Sequence, residues 1–347
     1  MGIRIGVIGC GHWGPNHIRN FSSAAHSQVV AAADPKDDRR ESLKRLYPAV
    51  MFYADHRELL ASGEVDAVVI AAPTRFHFEL TREALLAGKD VLCEKPLATR
   101  SSECHELGKI AQDQRRILMI GHVFLYNAGI QKLADLLRNG EAGRIYYAHA
   151  TRTNLGPIRE DVNVAWDLAS HDISIFNYLL GAAPLSVTAI GGRYLQRDQE
   201  DVSFISAKYP RGILANIHVS WMDPKKIREI TIVGDKKMLV WNDLHPEGPV
   251  RIYDKGVIQE PYYETFGEFH LLVREGDLTV PRIRVGEPLK VQADQFIQSV
   301  RQRTTPTCDV RLATQVVETL EAVDRSMQEG GRPVTIGAIP PVRTKKG

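Results

Sequence analysis

The apolar pattern of this chain changes rhythm about a third of the way along it. Residues 3–8, 29–33 and 67–72 are continuous apolar runs. Runs with no polar alternation predict strands buried on both faces of a parallel sheet. Helix patterns lie between them. One over residues 78–87 ends at Gly88, and a short strand is predicted over 90–93. Residues 101–114 predict a helix started by serine caps, with Glu103 in its first turn, and 117–120 one further strand. This strict alternation predicts a doubly wound α/β domain over residues 1–122.

After about residue 123 the segments lengthen. A helix over 129–138 stops at Asn139-Gly140, and alternating apolar-polar segments follow at 144–153, 185–194, 202–209, 213–221, 229–233 and 237–241. Consecutive strands without intervening helices predict a largely antiparallel sheet. One helix, 166–180, interrupts them and stops at Gly181. Residues 246–288, rich in Gly, Pro and charge, predict a long irregular excursion over the surface. Helices over 289–301 and 313–328 complete the body. The expected architecture is an N-terminal Rossmann doubly wound parallel sheet, then an α+β domain over 123–335 with a large, mostly antiparallel open sheet. Residues 336–347 are expected to be a frayed tail. Segments 202–207 and 213–221 leave apolar side chains on alternating faces. A homodimer or homotetramer through sheet-to-sheet contact is therefore expected.

Composition narrows the partners. A net charge of +2 gives no reason to invoke nucleic acid or an anionic membrane. No stretch approaches twenty apolar residues. The N-terminus enters a strand at once, with no signal-peptide pattern. Cys10, Cys93, Cys104 and Cys308 form no CxxC pair, which points to buried thiols, a cytoplasmic location and no metal.

Candidate chemistry begins at the first turn. Gly9-Cys10-Gly11-His12-Trp13-Gly14 lies between a strand and a helix pattern, and Asp34 ends the second strand twenty residues after the last glycine. Gly9 permits a tight turn, Gly11 lets backbone amides approach a pyrophosphate, and Gly14 lets helix and strand pack closely. The helix N-terminus suits phosphate, and Asp34 suits both hydroxyls of an adenosine ribose. NAD is the expected cofactor, although Arg39 and Arg40 follow closely and would soften the discrimination against a 2′-phosphate. The cofactor-binding set is Gly9, Gly11, His12, Trp13, Gly14, Asp34, Thr74, His77, Glu94 and Lys95.

Glu94-Lys95-Pro96 falls at the carboxyl end of a strand, where such sheets bind ligands. A lysine there can stabilise an alkoxide as hydride leaves; three residues alone favour a surface lysine in a turn. Asp167 and His171 are four apart on the predicted 166–180 helix and share a face. A histidine suits proton abstraction at neutral pH, with a carboxylate one turn away to orient it. By spacing alone an ordinary Asp–His pair is the better reading.

Together, the glycine turn, Asp34, Glu94-Lys95-Pro96 and the Asp167/His171 pair resemble the glucose–fructose oxidoreductase, inositol dehydrogenase and rhizopine catabolism family, in order and over nearly the whole chain. The resemblance implies a Rossmann domain, then an α/β domain with a large open sheet, and an active site between them where nicotinamide meets a sugar or cyclitol. It assigns Lys95 as catalytic lysine, His171 as acid/base, and Asp167 as its partner or a substrate ligand. Residues 152–163 and 223–228 resemble the branch of nucleotide-sugar 3-dehydrogenases, which oxidise the 3-hydroxyl of UDP-N-acetylglucosamine or its uronic acid. Arg152, Asn154, Arg159, Asn163, Asp167 and His171 are the substrate-binding candidates. Arg152, Arg159, Lys225, Lys226 and Arg228 are cations suited to a diphosphate, though each taken singly also fits a solvated surface charge. A free monosaccharide or cyclitol is the alternative substrate. A non-catalytic dinucleotide sensor is the alternative function, disfavoured because such a protein has no need of Lys95, Asp167 and His171 together.

Overall fold

Strands too apolar to show either face to water must be covered on both. In the computed structural model, which describes residues 2–195, 197–259 and 271–337, five such strands and one short, partly exposed edge strand pair. They are β1 (Ile3–Ile8), β2 (Ser27–Ala33), β3 (Met51–Tyr53), β4 (Ala67–Ile70), β5 (Asp90–Glu94) and β6 (Leu118–Gly121). Their sheet is wholly parallel, in the order β3-β2-β1-β4-β5-β6. Every residue of β4 and β5 is buried. The connecting helices are α1 (Gly14–Ser23), α2 (Asp37–Leu46), α3 (His56–Ala61), α4 (His77–Leu86) and α5 (Ser101–Asp113), and α6 (Ala128–Arg138) follows β6. The strand order reverses between β1 and β4, so ligands of such a sheet gather beyond their carboxyl ends. The cap position of α5 falls on Arg100, which makes no side-chain cap bond, and Ser101 is the first residue of the helix.

The later strands alternate, and they form an open sheet. Its elements are β7 (Ile145–Leu155), β8 (Ser186–Gly192), β9 (Val202–Lys208), β10 (Leu214–Ser220), β11 (Met222–Gly234), β12 (Met238–Asn242) and β13 (Val250–Tyr253). Helix α7 (Ser170–Leu180) lies between β7 and β8 in the chain. After β14 (Gly256–Gln259), β15 (Leu271–Arg274) and β16 (Leu278–Thr279) come α8 (Pro288–Gln302), α9 (Val310–Gln328) and β17 (Val334–Thr335). Nine strands pair in the order β16-β13-β12-β11-β7-β10-β9-β8-β17. Only β7 and β10 run parallel. Along β9, Ser203, Ile205 and Ala207 are buried while Phe204, Ser206 and Lys208 are exposed, the two-residue period of a sheet packed on one face. Trp221, Trp241, Ile217, Ile230 and Ile232 fill the inner side, each contributing about 1.5–3 kcal/mol by leaving water.

The irregular excursion expected over 246–288 is partly sheet. Strands β13 and β16 extend the large sheet, and β14 and β15 pair with each other. Strands of two to four residues are too short to show a period, and only their partners define them. Residues 260–270 of that segment, and 338–347 of the expected tail, lie outside the described residues.

The chain divides into two units, neither continuous in sequence. The first takes the chain up to Arg138, then Ile173–Leu179 and Arg282–Val317; the second takes Asn139–Asp172, Leu180–Pro281 and the chain from Glu318 on. In the first, α1 packs on α8, with the rings of Phe21 and Phe296 edge-to-face at 6.0 Å. No helix among the described residues is long and apolar enough to cross a membrane.

Candidate functional site

In the first unit the glycine turn is dictated by steric exclusion. Gly9 has φ +98°, and a Cβ there would lie 2.7 Å from the carbonyl oxygen of Ala71. A Cβ on Gly14 would lie 2.2 Å from the carbonyl oxygen of Gly9. No other residue fits either position. Helix α1 starts at Gly14 with no side-chain cap bond at Trp13, so its first amides face outward as a pyrophosphate requires. His12 and Trp13 are exposed beside them, their rings edge-to-face at 5.4 Å.

Asp34 is 3% exposed. Its Oδ2 accepts from the Cys10 amide at 2.8 Å and its Oδ1 from the Lys36 amide at 2.9 Å, so the carboxylate is set before any ligand arrives. Burial, then the charge of Asp34, push the Cys10 thiol up to about 12; it stays neutral. Arg39 Nη1 lies 3.4 Å from Asp34 Oδ2 and sits over Gly11, 3.4 Å from where a Cβ would be. Arg40 donates instead to the Asp34 carbonyl at 2.7 Å and pairs with Asp37. Of the two arginines, Arg39 is the one beside the ribose position.

Thr74 is buried just after β4. His77 is buried too, and both its ring nitrogens meet backbone carbonyls. Glu94 turns inward: Oε1 pairs with His17 Nε2 at 2.8 Å and Oε2 accepts from the Lys95 amide at 3.2 Å. Lys95 follows β5 and is half-buried. His122, fully buried after β6, is depressed to about 3 by burial and then by the charge of Lys95. A neutral imidazole therefore accompanies the lysine.

In the second unit the predicted helix begins as a π turn, Ala165–Ala169, before α7. The Ser170 amide reaches back to the Ala165 carbonyl, a wider turn of the kind that often marks functional sites. Asp167 lies on it and the half-buried His171 follows in α7. Asp167 Oδ2 accepts from the Trp221 indole at 3.1 Å and Oδ1 from Arg159 at 3.3 Å, while Arg159 is also bidentate to Asp161. Asn154 folds over Gly156 at the end of β7. Lys225 and Lys226 are exposed where β11 bulges away from β7, and Arg228 pairs with Asp243.

Two substrate-binding candidates have other work. Arg152, 3% exposed, is bidentate to the buried Asp172 at 2.9 and 2.7 Å, an internal pair rather than a cation open to a diphosphate. Asn163 Oδ1 caps the π turn, accepting from the Ala165 and Trp166 amides. Its Nδ2 donates to Glu200 and Asp324, so its amide has no hydrogen-bonding capacity left. The Trp166 indole also donates to Asp324, at 2.6 Å. Polar residues before a helix serve as caps as readily as ligands, and only the partners decide. Trp221, Asp172, His17 and His122 were not legible as site residues, because each gains its role from a residue far along the chain.

A strand-turn-helix cradle with an acid at the ribose position, and a carboxylate–histidine helix elsewhere, define an NAD-dependent oxidoreductase. Residues 3–122 match the model of an oxidoreductase family with an NAD-binding Rossmann fold, and residues 130–240 match that family's C-terminal domain. The chain belongs to this GFO/IDH/MocA family. UDP-N-acetylglucosamine 3-dehydrogenase of Acidithiobacillus ferrooxidans is 32% identical over 238 residues, 66% of this chain and 71% of that protein. Inositol 2-dehydrogenase 2 of Saccharopolyspora erythraea is 30% identical over 226 residues, 63% of this chain and 67% of that one. A solved structure of the Acidithiobacillus enzyme superposes with TM-score 0.80 at 26% identity, covering 94% of this chain and 99% of that chain.

Proposed function

We propose that the protein oxidises a secondary hydroxyl of a nucleotide-linked sugar, C3 of UDP-N-acetylglucosamine or of its uronic acid. Similarity to the Acidithiobacillus 3-dehydrogenase supports this substrate, and exposed Lys225 and Lys226 supply charge for a diphosphate. Similarity to inositol 2-dehydrogenase supports a free cyclitol as the second reading. The observation that carries the chemistry is Asp167, whose two oxygens take the Trp221 indole and Arg159, four residues before a histidine.

The glycine cradle fits NAD, because Gly9 and Gly14 permit the tight turn that opens directly into the N-terminus of α1. When bound, NAD supplies the hydride acceptor. His171 takes the hydroxyl proton at Nε2, its Nδ1 being buried, Lys95 donates a hydrogen bond to the developing alkoxide, and Asp167 orients the histidine or grips a substrate hydroxyl. Asp34 favours NAD over NADP, with Arg39 opposing it.

We also infer a homodimer or homotetramer assembled through the outer face of the large sheet. There Ile190, Phe204 and Leu214 are 63%, 52% and 53% exposed. Ile190 pairs across to Phe204, and Phe204 to His218, whose rings stack at 4.4 Å. Purified protein with NAD or NADP, given UDP-sugars, free sugars and inositols, tests substrate and cofactor. Turnover with UDP-N-acetylglucosamine or its uronic acid and NAD is expected; turnover with inositol alone selects the second reading. The same samples weighed by light scattering should be dimeric or tetrameric, and a monomer overturns the assembly.

A further inference from the structure

His77 opens α4 and is 1% exposed. Its Nδ1 lies 2.6 Å from the carbonyl oxygen of Pro96, and its Nε2 lies 2.8 Å from the carbonyl oxygen of Ala72. A carbonyl only accepts, so each contact is a hydrogen bond only when that nitrogen carries a proton. A neutral imidazole has one such proton. The other nitrogen would then face a carbonyl with lone pair against lone pair, in a buried place where an unsatisfied polar group is costly. Only the imidazolium makes both bonds. Burial opposes that charge, but Cys93 and the two carbonyls outweigh it and raise the group to about 9.

The two carbonyls belong to neighbouring turns. Ala72 follows β4 and Pro96 follows β5, strands in register at Ile70 and Cys93. Pro96 is the residue after Lys95, so the grip falls one residue beyond the lysine. The Ala71–Ala72 peptide is also what Gly9 packs against, since a Cβ there would lie 2.7 Å from the Ala72 nitrogen. One ring thus ties the peptide beneath the glycine turn to the turn that carries Lys95.

We propose that His77 is a positioning residue, a doubly protonated ring that cross-ties the Ala72 and Pro96 turns and fixes the backbone of Lys95 against the glycine cradle. Its ring nitrogens are then unavailable to the cofactor, contrary to the expectation that His77 binds it. The inference rests on the assignment of Lys95 to the reaction.

The NAD-loaded enzyme labelled with 15N and 13C gives a readout independent of activity. The His77 ring, assigned by correlation to its own backbone, should show both nitrogens protonated at neutral pH, with couplings across hydrogen bonds to the Ala72 and Pro96 carbonyl carbons. One bare ring nitrogen at neutral pH overturns the proposal, and this measurement stands even if a variant fails to fold. His77→Gln offers two N–H groups from a single nitrogen, which cannot reach both carbonyls. Its kcat should fall on the order of 10²-fold, as a displacement of about 1 Å does, with NAD affinity nearly unchanged. Wild-type kcat with weakened NAD binding would show a cofactor ligand instead. If Lys95→Ala is inactive while His77→Gln keeps wild-type turnover, the positioning role is wrong and Lys95 stands. If Lys95→Ala keeps wild-type turnover, the assignment of Lys95 falls and the positioning role with it.

Discussion

The glycine cradle and the acid–base helix are built in opposite ways. The cradle is backbone: Gly9 and Gly14 are needed for the side chains they lack, and the acid that completes it is held by amides of Cys10 and Lys36. Most of it is built within residues 9–36, and the turn at Ala71 supplies the one distant neighbour. The helix is held by side chains from distant segments. Trp221 and Arg159 hold Asp167, Arg152 holds Asp172, and Glu200 and Asp324 hold Asn163. A site made of backbone can be recognised from spacing. One made of converging side chains has to be found in the fold.

The sharpest test of this contrast separates binding from chemistry. His171→Ala and Lys95→Ala should each lower kcat about 10²–10⁴-fold, the usual contribution of a positioned proton-transfer group. Titration calorimetry should find NAD affinity nearly unchanged in both. An equal loss of NAD affinity would break the division between the two clusters.

Stability provides the next comparison, within the second unit. Asp172→Ala strands the buried Arg152 guanidinium, and removing one member of a buried pair costs about 3–5 kcal/mol. Arg159→Ala breaks a half-exposed pair with Asp161 and a longer contact to Asp167, and should cost below about 1 kcal/mol. Urea unfolding measures both. Comparable midpoints for the two variants would mean that Arg152 and Asp172 do not brace this helix.

The most gradual effect, spread over several pH units, belongs to the histidines of the first unit. His122 is depressed to about 3, so the unfolded chain takes up a proton that the folded chain refuses, and stability falls as pH drops below about 6.5. His77 is raised to about 9. Its contribution is complete below about 6.5 and is lost as pH rises through about 9. Unfolding midpoints should therefore peak near pH 6.5 and decline on both sides. A profile flat from about pH 5 to 9 contradicts both protonation states.

Five strands of the six-stranded sheet were legible because they are largely apolar runs, whereas the half-exposed β3, three residues long, was not. The nine-stranded sheet was legible as far as β12 because its strands alternate. Beyond that, β13 to β16 are two to four residues long, too short to show a period. The helix carrying Asp167 and His171 was placed correctly, but its opening π turn leaves no mark in an apolar pattern. Arg152 and Asn163 were legible as polar residues near the right helix, and their roles were not.

Residues 3–34 carry the pattern of a dinucleotide fold, since Gly14 excludes a side chain against Gly9 within the turn itself and continuous apolar runs demand burial. The tertiary structure decided which charges are free and which are committed. It paired Arg152 with Asp172, gave Trp221 to Asp167, turned Glu94 toward His17, and placed His77 between two carbonyls. A charge or hydrogen bond acts through whatever lies within a few ångströms of it, and folding sets those neighbours.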